Sequence, residues 1–291
     1  MEARIILTHD CNYNCDFCHG EGWFKKKGVF IENTKLFFLI KVLTKWELTN
    51  VTLSGGEPLL HPNIGDIINF VHNQNIKVSL VTNGSLVNEN GGVLEKVDLI
   101  NYSIHTMDKN KYLKNSEQRY DLVQAFWNLS GLIDRYPEKD IRVNIIIDRF
   151  LIQNIEMCLY KLKGANKIKL IERFPCRDKE LSIEFVRDKL KGMGFIEVET
   201  QMKRRKIVLT NGMHTIYLTR VFCAQLENLH LKQTYCMENN EINISPEFII
   251  KKCRYSNGVN ISSLLEKKED SKLNEIIGDT INLKEVKCLH E

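Results

Sequence analysis

Arg4-Ile5-Ile6-Leu7-Thr8-His9-Asp10-Cys11-Asn12-Tyr13-Asn14-Cys15-Asp16-Phe17-Cys18 is the stretch that decides how the rest of the chain is read. It opens on a short apolar run of strand character, and the thiols of Cys11, Cys15 and Cys18 follow in the loop behind it. Three thiolates this close can converge on one metal centre only where the loop wraps around it, and they leave one coordination position for another ligand. A structural zinc site takes four protein ligands, so His9 or His19 would have to complete a Cys3His set. A [4Fe–4S] cluster held by three cysteines keeps one iron open, which is a working arrangement. Spacing alone leaves both readings standing.

Outward from that loop, short β-branched runs alternate with longer helical patterns. Strands are expected at residues 4–7, 51–53, 78–82, 99–103, 143–147 and 168–171. Apolar residues at helical spacing predict helices over 35–46, 64–72, 91–97, 120–135, 155–162 and 182–192, the last with Ser182 as N-cap and Gly192 to Gly194 as its stop. Repeated strand–helix units argue for a parallel sheet, and six of them suit an α/β fold of partial (βα)6 TIM-type barrel, with its chemistry at the C-terminal ends of the strands. The rhythm changes after Phe195. Residues 196–199, 206–209 and 215–219 read as short strands, with Asn211-Gly212 as a hairpin turn, and a terminal helix is expected near 271–277. The division is therefore a core barrel over 1–200 and a small α+β domain over 201–291.

Composition agrees with an ordinary globular protein. The 291 residues are 43% hydrophobic and 27% charged, which excludes disordered and fibrous classes. The apolar run at 36–40 is far short of the ~18 residues that cross a bilayer. A net charge of +4, without clustering, does not mark a nucleic-acid binder. The first residues lack the layout of a secretory signal, so a cytoplasmic location is expected. Nine cysteines in such a location point to metal binding or catalysis rather than disulfides.

With Phe17 as the aromatic before its last cysteine, the CxxxCxΦC loop resembles the signature of the radical S-adenosylmethionine (SAM) superfamily. Ser54-Gly55-Gly56-Glu57-Pro58 after the second strand resembles the superfamily's GGEP motif. Thr82-Asn83-Gly84 ends the third strand, Ser103 and His105 end the fourth, and Asn144 lies in the fifth. The resemblance implies a [4Fe–4S] cluster on Cys11, Cys15 and Cys18. It also implies SAM bound by Phe17, Gly55, Gly56, Glu57, Asn83, Ser103, His105 and Asn144. In the superfamily Glu57's counterpart receives the methionine amino group, and the cleaved cofactor yields a 5′-deoxyadenosyl radical that abstracts hydrogen from substrate. A flavodoxin- or ferredoxin-type electron donor is implied with it.

Leu170-Ile171-Glu172-Arg173-Phe174-Pro175 is similar to the sixth-strand end of the molybdenum-cofactor GTP cyclase family. Cys223, Cys236 and Cys253 resemble that family's C-terminal auxiliary cluster, here of twitch type, with Cys288 as a candidate fourth ligand. The departures are informative. The gaps between the three cysteines are longer, Glu241 and Asn243 stand where the cyclase carries arginines, and His61-Pro62 follows the GGEP motif where it carries basic residues. A triphosphate needs several cationic partners, so a small polar, nucleotide- or sugar-like substrate other than GTP is expected. Arg4, Lys25, Lys26, Lys27, Lys203, Arg204, Arg205 and Lys206 are the candidate anion contacts, against the plain reading of solvated surface. Cys158 sits on an apolar helical face and reads as core, and Cys176 follows the sixth strand. Peptide modification is the alternative within the same chemistry. A non-catalytic zinc or Fe–S module is the alternative outside it, and would need neither the GGEP motif nor the strand-end polar set.

Overall fold

The computed structural model describes residues 1–18, 27–173, 178–201, 206–220, 241–253 and 256–282. Six strands run parallel and in chain order: β1 (Glu2–Ile6), β2 (Asn50–Ser54), β3 (Lys77–Thr82), β4 (Leu99–His105), β5 (Asp140–Ile146) and β6 (Lys167–Glu172). Helices lie between or after them: α1 (Asn33–Thr44), α2 (Ile64–Asn73), α3 (Lys109–Asn115), α4 (Leu122–Arg135), α5 (Arg149–Gln153), α6 (Ile155–Lys161) and α7 (Ile183–Gly192). This is the α/β architecture expected, and the sequential parallel order is consistent with the partial barrel. β1 and β6 do not pair with each other; β1 pairs with β10 (Glu241–Ile244) and β6 with β9 (Thr215–Arg220).

Sequence pattern and packing agree element by element. The α1 helix buries Leu36, Leu39, Ile40 and Leu43, and α2 buries Ile64, Ile67, Ile68 and Val71, each one stripe at helical spacing. Asp121 caps α4 by accepting from Gln124 N, and Ser182 caps α7 by accepting from Phe185 N, as expected from its position. The helix expected over 91–97 is only a 3-10 turn, Val93–Lys96, because Leu94 is its sole buried residue and no apolar stripe holds a longer helix. The expected helix over 155–162 is the second of two short ones, preceded by α5.

Beyond α7, β7 (Ile196–Gln201), β8 (Lys206–Thr210) and β9 form an antiparallel ladder that joins the sheet through β9. The strands β10, β11 (Ile249–Lys251) and β12 (Val259–Asn260) extend the opposite edge, giving one sheet of twelve strands among the described residues. Sequence periodicity did not reveal β10 and β11. In β10 the apolar residues are Ile242 and Ile244 alone, with Asn243 between them buried too, a pattern too short to read before its parallel partner β1 is known. The last described elements are α8 (Ser262–Lys267) and α9 (Asp270–Ile281), the latter longer than the terminal helix expected. Residue 200 lies inside β7, so the sheet runs across the proposed division of the chain.

Candidate active site

The loops after β1 and β2 are closed onto each other by backbone hydrogen bonds. Leu7 N donates to Ser54 O at 2.9 Å, Gly56 N to Thr8 O at 2.9 Å, and Glu57 N to Asp10 O at 2.8 Å. Gly55 and Gly56 permit this approach. A Cβ on Gly55 would lie 2.4 Å from Thr8 O, and one on Gly56 would lie 2.1 Å from Asp10 O. The close contact these glycines admit is therefore with the cysteine loop itself. Cys11 and Cys18 are exposed and Cys15 is half-buried at this edge of the sheet. Among the described residues, no set of three His, Cys, Asp or Glu side chains is gathered so that it could hold a metal ion.

Glu57 is completely buried, and its carboxylate accepts from Leu59 N (3.0 Å), Thr82 Oγ1 (2.8 Å) and Asn83 N (2.7 Å). Burial pushes its pKa up to about 7, with the three donors opposing. The side chain thus ties the GGEP turn to the end of β3. Asn83 is similarly engaged: Nδ2 donates to Asn12 Oδ1 at 2.8 Å, and Oδ1 accepts from Ser85 N and Ser85 Oγ. Asn12 returns a bond to Ser85 Oγ at 2.8 Å. Asn12 and Ser85 were not singled out from sequence; the only signal was the turn chemistry of Asn83-Gly84-Ser85.

Phe17 meets His105 edge to face, with ring centroids 5.0 Å apart. His105 ends β4 at a left-handed φ of 64°, where the β4–β5 register shifts. Ser103 and Asn144 are register partners across the same two strands, and Asn144 Nδ2 lies 3.5 Å from Ser103 Oγ. Asn144 Oδ1 is buried and accepts no hydrogen bond. An unsatisfied buried acceptor costs ~1–3 kcal/mol, so this atom is suited to a ligand donor. On this observation the residues present fit a polar cofactor, while Cys11, Cys15 and Cys18 share one loop without their side chains being gathered around a common centre.

Other expected contacts are engaged elsewhere. His9 Nε2 lies 3.2 Å from the Glu247 carboxylate, so a zinc site would have only its other ring nitrogen. Arg4 Nε pairs with Glu241 at 3.2 Å. His61 is buried, bonded through Nε2 to Ile31 O and through Nδ1 to Asn63 N. Glu172 accepts from Ile183 N and from Arg220 Nε and Nη2, bracing β6 against β9 and α7. Lys206 stacks its ammonium over Tyr217, and Lys27 is exposed. Cys158 is fully buried in the core, as expected. Cys253 is half-buried, with its N–H donating to Ser256 Oγ. His19, Lys25, Lys26, Cys176, Lys203, Arg204, Arg205, Cys223, Cys236 and Cys288 lie outside the described residues. No described helix is long and apolar enough to cross a membrane.

Comparison with known proteins places the family and the fold. A family model described as the Radical SAM superfamily matches residues 5–154. A protein of Methanococcus aeolicus named probable GTP 3′,8-cyclase is 26% identical over 284 residues, covering 92% of this chain and 90% of that one. The probable GTP 3′,8-cyclase of Methanocaldococcus jannaschii is 26% identical over 279 residues, covering 92% of this chain and 90% of that one. Among solved structures, Streptococcus suis SuiB bound to precursor peptide SuiA superposes with a TM-score of 0.66 at 14% identity. That match covers 95% of this chain but 66% of SuiB, just under two thirds of its length. Native anSMEcpe with bound AdoMet superposes with a TM-score of 0.61 at 16% identity, over 96% of this chain and 83% of the other.

Proposed function

The chain belongs to the radical SAM superfamily and is an enzyme, and on that premise we propose that it acts on a small polar, nucleotide- or sugar-like molecule other than GTP. The superfamily implies a [4Fe–4S] cluster and SAM, which together supply a carbon-centred radical able to take hydrogen from an unactivated C–H bond. Cys11, Cys15 and Cys18 would hold the cluster. Gly55, Gly56, Glu57 and Asn83 fix the loop that carries them, and form the floor of the SAM site with Phe17, Ser103, His105 and Asn144. The observation that carries this reading is Asn144 Oδ1, a buried acceptor left over in β5 across from Ser103 of β4. A barrel interior also excludes water and competing hydrogen donors from the reacting atoms.

In this reading a second cluster is held by Cys223, Cys236 and Cys253, with Cys288 as candidate fourth ligand, in a C-terminal unit over 201–291. A flavodoxin- or ferredoxin-type protein supplies the electron. The Arg4–Glu241 pair weighs against GTP: an acid stands in the arginine position and engages a nearby cation. Every charge-assisted hydrogen bond that a polyphosphate fails to find here weakens its binding by ~1.5–3 kcal/mol. The likeness to SuiB is one of fold and brings no peptide to this chain.

The test is analysis of anaerobically purified protein for iron, sulfide and zinc, followed by incubation with SAM and dithionite. Iron with sulfide, and 5′-deoxyadenosine that disappears when Cys11, Cys15 and Cys18 are all changed to Ala, are expected. Zinc without iron would overturn the reading. Added GTP should give no cyclised nucleotide, and its efficient turnover would overturn the substrate half alone.

A further inference from the structure

We propose that Asp140 is a specificity-determining residue: it holds Arg142 and Lys167 in internal ion pairs and so keeps a polyphosphate chain off the substrate face of the sheet; this rests on the substrate reading given above and deepens it. The two faces of the sheet are unlike. Tyr102, Val143, Ile168 and Ile216 are register partners across β4, β5, β6 and β9, and all four are fully buried. Tyr102 donates its hydroxyl to Ala125 O of α4 at 2.8 Å, so this row faces the helices. The rows on either side of it alternate to the opposite face. One of them holds Ser103, Asn144, Lys169 and Tyr217, and the other Asn101, Arg142, Lys167 and Thr215. A substrate presented to SAM at Ser103 and Asn144 therefore has Arg142 and Lys167 one row away.

Both cations are taken. Arg142 meets both carboxylate oxygens of Asp140, Nε at 3.2 Å and Nη2 at 2.6 Å, and Lys167 Nζ lies 3.0 Å from Oδ1. The guanidinium also lies over the Tyr217 ring at 5.2 Å, with Lys206 Nζ 4.9 Å from the same ring. Burial alone would raise the Asp140 pKa, but the bonds from Arg142 and Lys167 outweigh it and hold the carboxyl below its ordinary range. Asp140 is thus an ionised counter-ion at neutral pH. In its register row, which runs through Leu99, Ser79 and Thr52, Arg4 is paired likewise with Glu241. The Arg142 and Lys167 side chains are 31% and 33% exposed. A ligand can reach them, but only in competition with the carboxylate.

A chain of phosphates needs several cationic partners at once, and the Asp140 charge repels it from the same place. An uncharged ribose or sugar ring meets no such penalty. Thr219 Oγ1, on the same face as Tyr217, is buried with no hydrogen-bond partner among the described residues. Like Asn144 Oδ1, it suits a ligand hydroxyl or amide. The substrate is accordingly one whose portion over β5, β6 and β9 is polar and carries no polyphosphate.

The probe is inorganic tripolyphosphate, titrated calorimetrically into the reconstituted holoenzyme saturated with SAM. The wild type should bind it weakly. Asp140→Asn keeps the shape, frees Arg142 and Lys167, and should bind it about tenfold or more tightly. Adding Arg142→Gln to that variant should return the affinity toward the wild-type level, which a merely structural role of Asp140 would not bring about. In the wild-type background Arg142→Gln should leave the weak binding as it is, because the arginine is already taken. That last comparison decides the matter even if Asp140→Asn does not fold. Equal affinity in wild type and Asp140→Asn, a gain that survives Arg142→Gln, or a loss caused by Arg142→Gln alone each overturns the assignment. Efficient turnover of GTP by the wild type would strike the substrate reading instead. The probe has neither base nor sugar and is not turned over, so the two failures are told apart.

Discussion

His9 presents Nε2 to both carboxylate oxygens of Glu247, at 3.3 and 3.2 Å, across 238 positions of sequence. Glu247 lies in the turn between β10 and β11, and Cys253 follows two residues after β11. The segment entering Cys11 is thereby tied to the hairpin leading to Cys253. Glu247→Ala leaves a buried imidazole without this partner and should cost ~1–3 kcal/mol in urea unfolding. A double-mutant cycle with His9→Ala should show coupling of at least ~0.5 kcal/mol. Additive effects would mean the contact contributes nothing.

Gly56 has no room for a side chain, since its Cβ would fall 2.1 Å from Asp10 O. Backbone cannot swing aside as a flexible side chain can, so Gly56→Ala should push the cysteine loop off the β2 turn. We expect a loss of ~1–3 kcal/mol in stability and reduced iron retention after anaerobic reconstitution. Normal iron content at wild-type stability would refute the closure of the two loops.

Asn144 separates ligand binding from folding. Its Oδ1 has no hydrogen bond to lose and its Nδ2 only the long 3.5 Å bond to Ser103 Oγ, so Asn144→Leu, close in shape, should change thermal stability by less than ~1 kcal/mol. SAM affinity should nevertheless fall about tenfold, the equivalent of ~1.4 kcal/mol. A destabilised variant with unaltered SAM binding would reverse the assignment.

His61 makes the fold sensitive to acid. Burial holds its pKa below the ordinary 6.5, opposed by the bond to Ile31 O. The unfolded chain therefore takes up this proton first. The resulting stability is present above about pH 6.5 and is lost as pH falls through the folded value. Melting temperatures at pH 7.5 and 5.5 should differ more for the wild type than for His61→Gln. Equal differences would show that the imidazole stays neutral for no structural reason.

Much of the framework was legible because its signals are local. The stripe of Leu36, Leu39, Ile40 and Leu43, the Ser182 cap and the Asn211-Gly212 turn each depend on neighbours within a few residues. The closure of the cysteine loop on the GGEP turn was not legible, although both motifs were, because it depends on Gly55 and Gly56 meeting Thr8 and Asp10 across the sheet. The 3-10 turn at Val93–Lys96 was misread as a helix because an apolar residue or two satisfies the pattern without enough burial to extend it.

The sequence by itself thus determined the parallel α/β core and the radical SAM family. The tertiary structure decided which atoms of the site are already taken. Glu57 and Asn83 are bonded to the protein, Arg4 to Glu241 and His9 to Glu247, while Asn144 Oδ1 is left over. It also placed β10 beside β1 and β9 beside β6, extending both edges of the sheet. The physical reason is common to all of these. A hydrogen bond or strand pairing is set by distances of a few ångströms between groups up to hundreds of residues apart, and no period or composition along the chain encodes which groups will meet.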